Sequence, residues 1–284
     1  MTGRLTPFLV PHEDGLMPNT IAHGGWGPTL GGQVVGGLLA RAAEHQIDDP
    51  ELHPARFTVE ILRRVATAPL QVSACVTRSG SRMRSIDAQM TQHGELVARA
   101  SALCLRRGVQ PQGRFFSTPV DMPPMPPEPA EFDDSSPMFI TAFGGDSVGA
   151  EGIPWQHDGP RYAWLREVRD LVDGESLTPF IRAAMAVDVT SSLTNFGTAG
   201  LAFINADYTL TLSRLPRGPY IGMAALTHYS ADGVATGSAT LFDAQGPIGT
   251  GVSAAIANFS FNPNGKLADR RADGRPAQDA SSPA

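Results

Sequence analysis

Residues 27–45 read GPTLGGQVVGGLLARAAEH. A glycine-dense opening leads into a run that predicts a helix from about Gln33 to His45. Four glycines, Gly31, Gly32, Gly36 and Gly37, stand at its front. Inside a helix each is worse than alanine by about 1 kcal/mol, so this stretch trades helix stability for something else. For Gly36 and Gly37 the reading is packing: a helix wrapped by a curved sheet must let strands approach, and a missing side chain does not obstruct them. Gly31, Gly32 and Gln33 fall at the helix N-terminus. There the free N–H groups and the positive dipole end point outward. Such a place suits a carbonyl oxygen that is becoming negative.

Four strand-like runs follow the helix, at 56–65, 70–78, 83–92 and 95–107, separated by turns at Thr67-Ala68-Pro69, Ser79-Gly80-Ser81 and His93-Gly94. Leu70, Val72, Ala74 and Val76 alternate with Gln71, Ser73 and Cys75, as a strand with one dry face requires. Residues 109–137 hold eight prolines and read as a linker. Beyond it the pattern repeats. A helix starts near Thr178-Pro179, and strand-like runs lie at 201–214, 220–229, 234–242 and 248–260. One helix followed by an antiparallel meander, twice over, is an internal repeat of architecture. The expected organisation is therefore a first domain at 1–108, a linker at 109–137, a second domain at 138–262 and a disordered tail at 263–284.

Composition narrows the classes. The chain has 284 residues, 42% of them hydrophobic, and a formal charge of −6. No long Lys/Arg run offsets that charge, which argues against a nucleic-acid partner. No stretch approaches the ~20 apolar residues of a membrane span, and the first residues do not read as a signal peptide, so a cytoplasmic protein is expected. Cys75 and Cys104 both fall in strand-like runs and are expected to be free and buried. No Cys/His spacing suggests a zinc site.

Thr178 suits an N-cap and Pro179 the first helical position. Phe180, Ala184 and Asp188 are then spaced by four and share a face. That spacing sets a carboxylate on an apolar face near a helix C-terminus, where both burial and the dipole oppose its charge. An acid kept in a costly place is a functional candidate. The competing reading is a helix-ending cap bonded to the hydroxyl of Thr190 or Ser191.

These residues resemble the double-hotdog acyl-CoA thioesterases of the bacterial type II kind. In the first half the resemblance rests on GGQVVGGLLARA (31–42), FTVEILRRV (57–65) and VTRSGSRMRSIDAQMTQHGELVARASAL (76–103). In the second half it rests on AMAVDVTSS (184–192), FINADYTLTLSRLPRG (203–218) and LFDAQGPIGTGVSAAI (241–256). It covers about residues 15–107 and 138–260. The resemblance implies an α+β double hotdog, with two long helices each wrapped by a curved antiparallel sheet, a pseudo-dimer in one chain. It implies hydrolysis of acyl-CoA to free acid and CoA, with no metal or redox cofactor. The family's catalytic Asp matches Asp188, and its polar strand residue falls on Asn205. The family's Gln falls on Ser253 or Ala254, and neither is Gln.

The expected mechanism follows from that match. Asp188 activates a water, Asn205 and Ser253 hold it, and the N–H groups of Gly32 and Gln33 stabilise the oxyanion. Arg78, Arg82 and Arg84 cluster around one turn and suit the phosphates of CoA. Arg214 and Arg217 mark the corresponding corner of the second half. Two alternatives are a non-catalytic acyl-CoA-binding protein and a hotdog enoyl-thioester hydratase. The hydratase usually pairs the Asp with a His five residues on, and Leu193 stands there. No G-x-S-x-G or Gly-Lys-Ser/Thr motif supports serine hydrolysis or a phosphate loop, and the GGQ at 31–33 runs into a helix rather than a flexible loop beside a basic surface. Homo-oligomerisation is possible, since hotdog sheets often associate further.

Overall fold

The computed structural model describes residues 5–116, 119–144 and 155–261. The expected tail at 263–284 lies outside the described residues. The chain opens with a hairpin of β1 (Leu9–His12) and β2 (Gly15–Pro18) and a 3-10 turn at Thr20–Ala22. Helix α1 (Gly32–Glu44) follows, then β3 (Leu52–Ile61), β4 (Gln71–Ser79), β5 (Met83–Gln92) and β6 (Glu95–Arg106). The second half begins with β7 (Phe139–Gly144) and β8 (Arg161–Arg166), then α2 (Pro179–Ala186) and α3 (Val189–Asn195). A two-residue pairing of β9 (Phe196–Gly197) and β10 (Gly200–Leu201) leads into β11 (Phe203–Leu212), β12 (Tyr220–Ala231), β13 (Val234–Asp243) and β14 (Gly246–Ala257).

Ten strands form one antiparallel sheet in the order β4-β5-β6-β3-β11-β14-β13-β12-β8-β7. The order β3-β6-β5-β4 on one side mirrors β11-β14-β13-β12 on the other. The halves meet at β3 and β11, where Thr58 faces Thr209 and their hydroxyls lie 3.0 Å apart. The repeat read from the sequence is real, but its two meanders share one sheet, and β7 and β8 extend one end of it. Alternation decides the faces: Ile86, Ala88 and Met90 are buried while Asp87 and Gln89 are exposed. Cys104 is buried as expected. Cys75 is exposed, because it lies on the outer face of the edge strand β4.

The second helix is not one long rod. It breaks between Ala186 and Val189, giving pieces of 8 and 7 residues. Val187, Val189 and Thr190 crowd that point with β-branched side chains, which restrict side-chain rotation in a helix. The backbone tightens there, with Thr190 N–H donating to Val187 and Ser191 N–H to Asp188, both three residues back.

The glycines of α1 have a packing role, with a different partner from the one expected. A side chain on Gly37 would meet Met185 at 2.7 Å, and one on Gly36 would come within 3.2 Å of the Ala184 carbonyl. The close neighbour is α2, and not only the sheet. The segment at 109–137 carries no helix or strand among its described residues, yet it is tied down. Trp164 donates its indole N–H to Pro123, and the fully buried guanidinium of Arg169 bonds Asp134 and the carbonyls of Ser136 and Pro137.

Candidate active site

The site is built where the start of α1 meets the break between α2 and α3. Thr178 caps α2 through a bond from Ile181 N–H at 3.1 Å, and Pro179 takes the first helical position. Phe180 and Ala184 are buried on one face, and Asp188 continues it two turns on. Asp188 occupies the N-cap position of α3 with helical dihedrals and makes no side-chain capping bond. Its carboxylate is therefore not committed to Thr190 or Ser191, and the cap reading fails.

The carboxylate faces α1 instead. Asn205 donates from Nδ2 to Asp188 Oδ1 at 2.9 Å, and the Gln33 N–H is turned towards the same carboxylate and lowers its pKa. A Cβ on Gly32 would lie 2.2 Å from Asp188 Oδ1, so only glycine leaves room for this approach. The sequence placed the acid near a helix C-terminus. In space it lies against the N-terminus of another helix, whose dipole favours its charge. Burial wins nonetheless: it pushes the Asp188 pKa up to about 6, against the lowering by Asn205 and the Gln33 N–H. Asp188 keeps intermediate exposure, as do Gly31, Gly32 and Gln33, so solvent reaches this corner.

A β-bulge brings Asn205 to Asp188. Asn205 pairs with Ala255 and Asp207 with Ala254, leaving Ala206 as the extra residue. Without it Asn205 and Tyr208 would point to opposite faces; with it both turn inward. Asp207 secures the bulge by accepting the Ala254 N–H at 2.7 Å. Tyr208 is fully buried and donates its hydroxyl to the Gly32 carbonyl at 3.0 Å. Sequence reading missed Tyr208. Its signal was present in Gly36, where a Cβ would fall 1.8 Å from the Tyr208 hydroxyl oxygen.

Of the two positions matching the family's Gln, Ser253 faces the interior and Ala254 does not. Ser253 pairs directly with Tyr208, and its Oγ is buried without a hydrogen-bond partner among the described residues. The Gln33 N–H, expected to bind an oxyanion, is turned towards the Asp188 carboxylate. The arginine turn lies elsewhere. Arg84 bonds the Gln46 carbonyl and Asp48, beyond the C-terminal end of α1, so about 20 Å of helix separates it from Gly32. Arg78 and Arg82 are exposed near the same turn. In the second half, Arg214 forms a two-pronged pair with Asp243, and the Arg217 N–H also bonds Asp243. No histidine joins Asp188 among the residues described; His228 bonds Asn195 and Ser230.

The profile of the acyl-CoA thioesterase N-terminal domain matches residues 22–105, and that of the C-terminal domain matches residues 119–256. The chain belongs to the acyl-CoA thioesterase family. Solved structures agree in fold. A provisionally assigned thioesterase II from Thermobifida fusca YX is 16% identical, with 91% of this chain and 100% of that chain covered and a TM-score of 0.66. A conserved protein of unknown function with a hot dog fold from Alicyclobacillus acidocaldarius is 16% identical, covering 85% and 91%, with a TM-score of 0.60. The acyl-CoA thioesterase II TesB2 from Mycobacterium marinum is 15% identical, covering 80% and 90%, with a TM-score of 0.56. No curated protein matches the sequence. The hotdog fold of this thioesterase-family chain thus rests on an antiparallel sheet and few helices, as the topology describes.

Proposed function

We propose that this chain is a double hotdog, divided at 109–137, that hydrolyses acyl-CoA to free acid and CoA with one water-activating site in its second half. The observation that carries the reading is Asp188: a carboxylate held by Asn205 and the Gln33 N–H, with a pKa of about 6. A base with that pKa is ionised at neutral pH and still able to take a proton.

In this mechanism Asp188 removes a proton from a water molecule as the water oxygen attacks the thioester carbonyl carbon. The carbonyl becomes a tetrahedral oxyanion. The Gly32 N–H faces it, since first-turn N–H groups have no intrahelical acceptor. Collapse breaks the C–S bond, and the CoA thiolate leaves with the proton that Asp188 had taken. Asn205 fixes the carboxylate. Ser253, a buried hydroxyl without a hydrogen-bond partner among the described residues, is suited to hold the water, because buried hydroxyls rarely go unbonded.

Free-thiol release from short, medium and long acyl-CoAs tests this with the wild type and Asp188→Asn. Turnover that survives the substitution refutes the role of Asp188. Saturable acyl-CoA binding without turnover by the wild type would favour a binding protein, the reading that Ser253 in place of the family's Gln supports.

A further inference from the structure

The Gly32–Gln33 peptide is held from both sides. Its carbonyl accepts from the Tyr208 hydroxyl at 3.0 Å, and its N–H is turned towards Asp188, whose carboxylate lies so close that a Cβ on Gly32 would fall 2.2 Å from Oδ1. A peptide unit is planar, with C=O and N–H pointing in opposite directions. Fixing the direction of one fixes the other. We propose that Tyr208 is a positioning residue: by holding the Gly32 carbonyl, its hydroxyl aims the Gln33 N–H at the Asp188 carboxylate. The proposal rests on the reading of Asp188 as the base.

Three further observations support it. First, α1 makes room for each partner with a separate glycine, one turn apart. A Cβ at Gly32 would strike Asp188 at 2.2 Å, and one at Gly36 would strike the Tyr208 hydroxyl at 1.8 Å. The ring carbon Cζ would lie 2.9 Å from that Cβ, so the second space admits the ring edge together with its hydroxyl. Second, burial and then the nearby Asp188 charge hold the Tyr208 pKa well above 10, so the phenol is a donor at any working pH. Third, the corresponding residue of the first half is Phe57, which pairs with Ala102 as Tyr208 pairs with Ser253. The same fold position carries no hydroxyl in the first half, where the Phe57 ring packs edge-on against Phe180.

Among the described residues, other charged groups are paired elsewhere and do not compete for Asp188. On β11, Asp207 is turned onto the Ala254 N–H. On α1, Arg41 pairs with Glu175 near the far end. On α2, Arg182 bonds the carbonyls of Leu177 and Gly218. The neighbours of Asp188 on α3 and Ser253 on β14 are neutral.

The experiment compares Tyr208→Phe with the wild type in three readouts: the pH profile of kcat/KM, the Asp188 carboxyl titration by carbon NMR, and Tm. Loss of the hydroxyl weakens the Gln33 N–H as a donor, so the Asp188 titration and the acid limb should both move up, by a few tenths to about one pH unit. kcat at neutral pH should fall several-fold, with KM within about twofold. An unmoved titration in a folded variant overturns the proposal. Should Tyr208→Phe fail to fold, 3,5-difluorotyrosine at 208 keeps the ring and strengthens the donor, and the titration must then move down; no shift overturns the proposal equally. The NMR titration needs no turnover. A wild type without thioesterase activity would sink the functional reading, while the titration would still decide what Tyr208 does.

Discussion

Asp188→Asn separates a catalytic acid from a structural one, because the two roles predict opposite changes in stability. Burial raises the Asp188 pKa from 3.8 to about 6. The unfolded chain releases this proton near 3.8 and the folded chain near 6. Between those values the folded state binds more protons, so stability falls as pH rises through the window. Above it, the buried charge costs at most roughly 3 kcal/mol, about two units at 1.36 kcal/mol each. Asparagine carries no charge and keeps one acceptor oxygen for the Asn205 Nδ2 donor. At pH 8 the variant should therefore be more stable, with Tm several degrees higher, and this gain should vanish near pH 4. Turnover should fall by about 10²–10⁴. The wild-type kcat/KM should rise with pH through about 6 and then level off. Thermal melts from pH 4 to 8 and thiol release over the same range read all of this. A variant that loses about 1 kcal/mol, the ordinary loss for a removed cap, and keeps its activity would refute the reasoning.

Gly32→Ala should abolish turnover by driving a Cβ into Asp188 Oδ1, at 2.2 Å, with thiol release as the measurement. Ser253→Ala should lower kcat more than it changes KM, and should leave Tm within a degree or two, since its hydroxyl lacks a protein partner among the described residues. For Asp243, burial raises the pKa, but Arg214 and the N–H groups of Arg217 and Gln245 more than offset it and bring it down to about 2. Here the folded pKa is depressed, so roughly 2 kcal/mol of stability is present above pH 4 and lost as pH falls towards 2; acid melts of Asp243→Asn should lack that loss. Replacing Arg78 and Arg82 with serine tests whether this turn reaches CoA, whose extended pantetheine arm is comparable in length to the helix between the turn and Gly32: a clear rise in KM with kcat kept would place the phosphates at this turn, and an unchanged KM would exclude it.

The sequence was most legible where local signals decide the outcome. Helix α1 runs Gly32–Glu44 where 33–45 was read, and β5 falls at Met83–Gln92 as expected. Caps, turn residues and period-two alternation act within a few residues, so they survive without tertiary context. The misses are tertiary. Strand β8 is buried at Arg161, Ala163, Trp164 and Leu165, so both faces are covered and no alternation shows. The bulge at Ala206 leaves no compositional mark, and the break at Asp188 shows only as the β-branched cluster of Val187, Val189 and Thr190. The electrostatics of Asp188 were half right: burial could be read from Phe180 and Ala184, but the approach of the α1 N-terminus spans more than 150 residues of chain.

The bulge shows how one site arose from two similar frames. In β3 the register shifts between Pro54 and Arg56, leaving Ala55 as the extra residue; in β11 it shifts between Asn205 and Asp207, leaving Ala206. Aligned through these bulges, Asn205 corresponds to Pro54, Tyr208 to Phe57 and Ser253 to Ala102. The first half thus keeps the frame that turns a residue inward and fills it with proline, phenylalanine and alanine, none of which has a side-chain donor or acceptor. It contributes instead the helix end that the second half uses, Gly32 and Gln33. Each half alone is incomplete: one holds the acid and its strand partners, and the other supplies the N–H that meets them. The pairing of β3 with β11 therefore does more than close a sheet. It fixes the distance between the helix of one half and the carboxylate of the other, which is the dimension on which the proposed chemistry depends.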